Sequence, residues 1–222
     1  MTDNASSFNA AVYDDNITSV LPYYREYHAQ ILDLVRALGL KSPMWLDTGC
    51  GTGTLALAAL GAMPDIRFTL ADPSEKMLTG AKLKLADRDV RYIAAPSHEL
   101  PYKDEFDIVT AVQCHHYYDK AGREEAVRHC FDALHKGGVF VTFENICMSE
   151  DISDAIALKR WEQYQSDRGR SPEDIRTHLA RRGTEMFPIT IEEHIAMLRG
   201  CGFKSVDILW TAYLQAGIWA IK

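Results

Sequence analysis

Apolar residues along the first part of the chain keep a helical period, and then the period changes. Tyr27, Ile31, Leu34, Val35 and Leu38 fall on one face of a helix that Gly39 stops. Beyond it, short apolar runs at Met44 to Asp47, Arg67 to Asp72, Val90 to Ala94, Phe106 to Val112 and Val139 to Phe143 read as strands. Helices fill the gaps near Thr54 to Leu60, Ser74 to Leu85 and Lys120 to His135, the last carrying Val127, Cys130, Phe131 and Leu134 at helical spacing up to Gly137 and Gly138. Such alternation builds a parallel sheet with helices on both faces. Two helical pieces, Ser153 to Ser166 and Ser171 to Arg182, then interrupt it. The second opens on Ser171-Pro172-Glu173-Asp174, a capping box with proline at the first helical position, and Gly183 ends it. Another box, Thr190-Ile191-Glu192-Glu193, opens a helix that closes at Gly200-Cys201-Gly202. The final strands, Ser205 to Leu209 and Gly217 to Ile221, leave seven residues between them. A parallel crossover needs about 10 to 12, so these strands form an antiparallel hairpin. The chain's 222 residues suit one domain, 1–222, in which 1–38 and 148–188 are helical cap elements over an α/β core.

One turn in this pattern carries chemistry. Leu46-Asp47-Thr48-Gly49-Cys50-Gly51-Thr52-Gly53 is a strand breaking into a glycine turn that reopens as a helix, and Asp72 ends the next strand nineteen positions after the last glycine. Glycines let the backbone approach a ligand closely, and a carboxylate at the second strand's tip accepts hydrogen bonds from ribose hydroxyls. A dinucleotide site needs a third small residue at Thr54 to seat its pyrophosphate. Here the spacing is Gly-x-Gly-x-Gly, and Asp47 would repel a pyrophosphate while attracting the cationic aminoacyl end of S-adenosylmethionine. A strand-to-helix turn with chance glycines is the plain alternative.

Composition narrows the setting. No run of about 18 apolar residues exists, and the start at Met1 has neither a basic nor an apolar leader region, so a cytoplasmic protein without membrane attachment is expected. Five cysteines with no CxxC spacing fit reduced thiols. The net charge of −7 argues against nucleic acid as a general partner. Positive charge concentrates between Lys159 and Arg182, where seven basic residues face four acidic ones and the rest of the chain carries −10. This segment is either a solvated amphipathic lid or a surface that recognises an acidic group through Arg176, Arg181 or Arg182.

The order of the glycine turn, Asp72-Pro73-Ser74-Glu75-Lys76-Met77-Leu78, Glu99-Leu100-Pro101, Phe106-Asp107-Ile108-Val109 and His135-Lys136-Gly137-Gly138 resembles the class I S-adenosylmethionine-dependent methyltransferases over about residues 44 to 145. The flanks, Phe8-Asn9, Ser19 to Tyr24, and Glu193-His194 through Gly202-Phe203 to Lys222, are similar to the branch that includes carboxy-S-adenosylmethionine synthase of tRNA wobble-uridine modification. The resemblance implies a Rossmann-like, mostly parallel sheet of seven strands in the order 3-2-1-4-5-7-6, strand 7 antiparallel. It implies S-adenosyl-L-methionine as the cofactor. Asp47, Gly49, Cys50 and Gly51 would meet its methionyl end, Asp72 the ribose, and Pro73 and Met77 the surroundings of the adenine. Ser97 and His98 would lie at the adenine edge, Gln113 beneath the cofactor, and Tyr24 would reach it from the N-terminal helix. Pro96 stands where many members carry an aspartate for the adenine amino group. Leu179 stands where the synthase has an arginine for its extra carboxylate.

Methyl transfer from a sulfonium is an in-line displacement that positioning dominates, and a base helps only acceptors that must lose a proton. Candidates at the carboxyl ends of strands four and five are His115, His116 and Glu144, with Tyr117 and Tyr118 nearby, and Tyr13 on the N-terminal lead. The histidines could equally serve packing. Adjacent Cys114, His115 and His116 do not make a metal set, and no metal is expected. Three functions follow: methylation of a small molecule, anionic or aromatic; synthesis of a carboxylated cofactor; or a cofactor-holding module without turnover. The complete glycine and acidic motifs disfavour the third, and Leu179 disfavours the second. A homodimer is left open.

Overall fold

The computed structural model describes residues 13–222, the side chains of Tyr13 and Asp15 excepted. Phe8 and Asn9 lie outside the described residues. The chain opens with helices α1 (Tyr13–Val20) and α2 (Tyr24–Leu38), then alternates β1 (Met44–Thr48), α3 (Thr54–Ala62), β2 (Arg67–Ala71), α4 (Glu75–Lys84), β3 (Val90–Ile93), β4 (Phe106–Val112), α5 (Lys120–Ala133) and β5 (Leu134–Asn145). Helices α6 (Asp151–Asp167), α7 (Pro172–Leu179) and α8 (Ile191–Cys201) follow, and β6 (Ser205–Ala212) and β7 (Gln215–Ile221) close the chain. One sheet results, in the order β3-β2-β1-β4-β5-β7-β6. Strand β7 runs antiparallel to both neighbours and every other pairing is parallel. This is the expected α/β architecture and strand order.

The sheet separates two apolar cores, as strand alternation requires. On one side Trp45, Phe68, Val141 and Phe143 pack with α2, α3 and Trp161 of α6. On the other Leu46, Val109, Phe140 and Ile218 pack with Val127, Cys130 and Leu198 of α5 and α8. The segments after β5 are fastened to the N-terminal helices from α6, where Trp161 Nε1 donates to the carbonyl of Val20 at 2.7 Å and Tyr164 Oη to that of Thr18 at 3.1 Å.

Several boundaries differ from the sequence reading. Strand β5 begins at Leu134, where the periodicity continued a helix, because Leu134 pairs with Phe106 ahead of a register shift whose extra residues lie in β5. The hairpin is tighter than seven residues: β6 runs to Ala212 and β7 starts at Gln215, joined by Tyr213 and Leu214, with Tyr213 at φ 54°. Helix α7 stops at Leu179, short of Arg182, and residues 180–186 form turns closed by backbone bonds such as Met186 N to the Arg181 carbonyl at 2.9 Å.

Candidate active site

The carboxyl ends of β1, β2 and β4 meet at the glycine turn. Gly49 has φ 65°, and a Cβ there would lie 2.4 Å from Cys114 Cβ, so the approach of the two loops demands glycine. Gly51, at φ 55°, has no heavy atom within 4 Å of where its Cβ would be, which leaves its backbone facing open space. Asp72 anchors this turn: Oδ2 accepts from Gly51 N at 2.9 Å and Oδ1 from Ser74 N at 2.9 Å. Cys50 is held by its amide on the Ala71 carbonyl at 3.0 Å, and burial followed by Asp47 and Asp72 pushes its thiol well above the usual range. Pro73 is exposed, whereas Met77 is buried with its amide on Ser74 Oγ, the N-cap of α4.

Asp47 lies buried at the end of β1 and accepts from Thr110 Oγ1 at 2.7 Å. Burial raises its carboxyl to about 7; Asp72 adds to the rise and the Thr110 bond opposes it. A buried acid so held gains from a cation beside it. From the opposite side of the turn, Asp14 of α1 accepts from Thr52 Oγ1 at 2.8 Å, Thr54 Oγ1 at 3.0 Å and Lys84 Nζ at 2.6 Å, so α1 is fastened to the start of α3. The sequence reading missed this latch, because its partners are 38 to 70 residues apart.

The residues expected near an adenine are also spoken for. Ser97 opens a one-turn 3₁₀ helix (Ser97–Glu99), and its hydroxyl shares hydrogen bonds with Thr48 Oγ1 at 2.8 Å and His115 Nε2 at 3.0 Å. His98 stands beside the Tyr118 ring at 5.3 Å, and its buried Nδ1 has no partner among the described residues. Gln113 ends β4 at φ 55°, with its amide on the Phe143 carbonyl at 2.7 Å and Nε2 on Gln215 Oε1 at 2.9 Å. Tyr24 meets Tyr27 and His28 edge-on, at ring separations of 5.6 and 4.9 Å, and borders a cavity of about 400 Å³ with Arg25 and Arg168. Tyr13 starts α1, and its side chain is not among the described residues.

The histidine turn is built around Glu144, buried at the end of β5. It accepts four hydrogen bonds: His115 N at 3.2 Å, His116 N at 2.9 Å, His116 Nδ1 at 2.8 Å and Thr142 Oγ1 at 2.9 Å. Burial would raise this carboxyl, but the His116 ring and the neighbouring His115 and His194 hold it at about 2. Glu144 is therefore a fixed carboxylate that orients, with little capacity left to take a proton. His116 presents Nδ1–H to Glu144, which leaves Nε2 as the basic nitrogen. His115 differs. Burial lowers it to about 4, so it stays neutral on Ser97. Cys114, His115 and His116 turn to Thr48, Ser97 and Glu144 respectively, so the three do not converge.

The basic segment does not act as one patch. Arg182 is committed to Asn145 Oδ1 at 2.7 Å and to both Asp154 oxygens at 3.3 Å. Arg160 lies 4.8 Å from the Tyr213 ring and Arg168 3.7 Å from Tyr164. Arg176 is exposed on α7. Arg181 alone reaches the histidine turn, its guanidinium 5.8 Å from the Tyr117 ring and Nε on Glu185 at 2.8 Å. Leu179 packs against the apolar cluster and borders a cavity of about 730 Å³.

Comparison with known proteins agrees with this geometry. Residues 46–138, which carry the glycine turn, Asp72 and the histidine turn, match the methyltransferase domain family. Over these residues the chain is similar to methyltransferase domains, whose fold holds S-adenosylmethionine. The chain is 27% identical to the carboxy-S-adenosyl-L-methionine synthase of Helicobacter hepaticus over 90% of this chain and 87% of that protein. It is 28% identical to the synthase of Helicobacter pylori over 90% and 86%. Among solved structures, a Thermotoga maritima S-adenosylmethionine-dependent methyltransferase, described as a possible histamine N-methyltransferase, superposes with a TM-score of 0.61 at 19% identity, covering 95% and 94% of the two chains.

The chemistry of these residues fits the cofactor that such a fold implies: among the described residues nothing fills the space beside Gly51, Asp72 is a carboxylate at the tip of β2, and the buried acid Asp47 would gain from a cation. Among the described residues, no helix is long and apolar enough to cross a membrane.

Proposed function

We propose that the protein transfers the methyl group of S-adenosylmethionine to a small molecule bound between the histidine turn and the segment that carries α6 and α7. The cofactor would supply an electrophilic methyl carbon. Asp72 and the glycine turn would hold its nucleoside, and Asp47 its ammonium. His116 Nε2, with the ring fixed by Glu144, would take the proton of an acceptor that must lose one. The single observation that carries this assignment is the buried His116–Glu144 pair, 2.8 Å apart and beside the Tyr117 ring that Arg181 approaches, because it is a base already oriented. Residues 13–38 and 148–188 act as the cap, and Arg181 favours an acceptor with an anionic or aromatic face.

A second reading has specific support. The curated relatives that align over about nine-tenths of this chain are named carboxy-S-adenosyl-L-methionine synthases. A cofactor with an added carboxylate needs a paired cation. Leu179 offers none at the resembling position, though Arg181 lies two residues on. Mass identification of the ligand that co-purifies from cells able to make the carboxylated form separates the two. Ordinary S-adenosylmethionine, with S-adenosylhomocysteine formed when pooled metabolites are added, is expected. The carboxylated form as dominant species would reverse the assignment, and tighter binding of NAD would overturn both readings.

A further inference from the structure

Arg123, on the inner face of α5, is buried, and among the described residues its side-chain hydrogen bonds go to backbone carbonyls and not to a carboxylate. Its guanidinium donates to three backbone carbonyls: Nε to His115 at 3.1 Å, and Nη2 to Tyr118 at 3.2 Å and to Phe187. Phe187 in turn donates its amide to the carbonyl of His116 at 2.7 Å. The peptide joining His115 and His116 thus lies between opposite charges, its carbonyl on Arg123 and its amide on Glu144 Oε2 at 2.9 Å. Burial draws Arg123 below the usual guanidinium range, and Glu144 is the first charge that opposes the fall.

We propose that Arg123 is a positioning residue for His116, clamping the histidine turn to the 187 loop so that the imidazole holds one orientation toward the acceptor. This rests on the reading of His116 as the base. A merely structural arginine would stitch its own helix or neutralise a neighbouring acid. The side-chain acceptors of Arg123 lie instead in the turn that carries His116 or in the loop bonded to it. The other titratable or charged groups facing His116 are Glu144 from β5, His115 and Tyr117 from the same turn, His194 from α8, and His178, Arg181 and Arg182 from α7 and its following turns. Among the described residues, Arg123 is the cation whose guanidinium bonds the carbonyls of this turn.

Arg123→Lys keeps the charge and removes the fork. Its kcat should fall roughly tenfold or more while the KM for S-adenosylmethionine stays within about twofold. Nitrogen NMR of the His116 ring should change from a single Nδ1–H tautomer to a mixture. A variant that melts earlier but keeps both kcat and tautomer would overturn the proposal and leave Arg123 as a purely structural group. Hydrogen exchange on the native protein judges the clamp even if the variant does not fold. The amides of His116 and Phe187 should open together, and independent opening would overturn it. Should His116→Ala retain full activity, the base assignment fails, while the tautomer and exchange results still decide whether the clamp exists.

Discussion

Asp47 at the tip of β1 and Glu144 at the tip of β5 are both buried carboxylates, and their surroundings drive them in opposite directions. Asp47 has one side-chain donor among the described residues, Thr110, and a like charge in Asp72, and it is raised to about 7. Glu144 has four donors and imidazole neighbours, and it is lowered to about 2. The stability contributed by Glu144 is present above its unfolded value and is lost as pH falls toward 2. That contributed by Asp47 is present below its unfolded value and is lost as pH rises through 7. The first region is complete in itself, and the second asks for a positive ligand. One end of the sheet edge thus holds the His116 ring still, and the other keeps a buried acid that a cation would favour.

The most damaging way to break this contrast is to remove the charge from the self-sufficient side. Glu144→Gln keeps the volume but turns an amide nitrogen toward N–H donors, so one or more buried groups lose a partner. A loss of about 3 to 5 kcal/mol is expected, or roughly 6 to 20 °C in melting temperature for a chain of this size. Thermal melts at pH 7 and at pH 4 check it. The gap between native and variant should narrow at the lower pH, because the advantage of Glu144 fades as the carboxyl is protonated. A gap that is equal at both values would mean that shape, not charge, holds the turn.

A smaller effect probes how the two regions touch. The glycine turn and the histidine turn meet where Gly49 faces Cys114, with room for no Cβ. Gly49→Ala should cost about 2 to 3 kcal/mol, part from the left-handed backbone and part from the overlap. Adding Cys114→Gly should recover at least about 1 kcal/mol in a double-mutant cycle measured by urea unfolding. Strict additivity of the two changes would show that the loops yield separately.

How far each region could be read from sequence follows from its construction. Gly49, Gly51 and Asp72 sit within one strand-turn-helix-strand unit, and short spacing suffices to recognise them. The histidine network is assembled from far-apart positions: His116 and Glu144 are 28 residues apart, and Arg123 and Phe187 are 64. One signal for Arg123 was present, since it falls in helical phase with Val127 and Cys130 on the buried face of α5. A charged residue in an apolar stripe is a marker of a buried network. The start of β5 was obscured because Leu134 satisfies a helical period as well as a strand pairing. The basic segment misled in the other direction, because composition cannot show that Arg182 is committed to Asp154 and Arg168 to the face of Tyr164.

The finest test sharpens the contrast through pH alone. If Asp47 receives the ammonium of S-adenosylmethionine, the complex requires the carboxylate. Below about 7 the carboxyl first has to release its proton, and the affinity measured by calorimetry should rise about tenfold per pH unit, near 1.4 kcal/mol, before levelling off. The heat of binding in that range should depend on the ionisation enthalpy of the buffer, reporting a proton released to solvent. Glu144 does not titrate there, so Glu144→Gln should leave this slope intact. Asp47→Asn should flatten it and weaken binding most at pH 8, where the native carboxylate is fully charged. A slope that survives Asp47→Asn would assign the proton to another group and would remove Asp47 from the cation site.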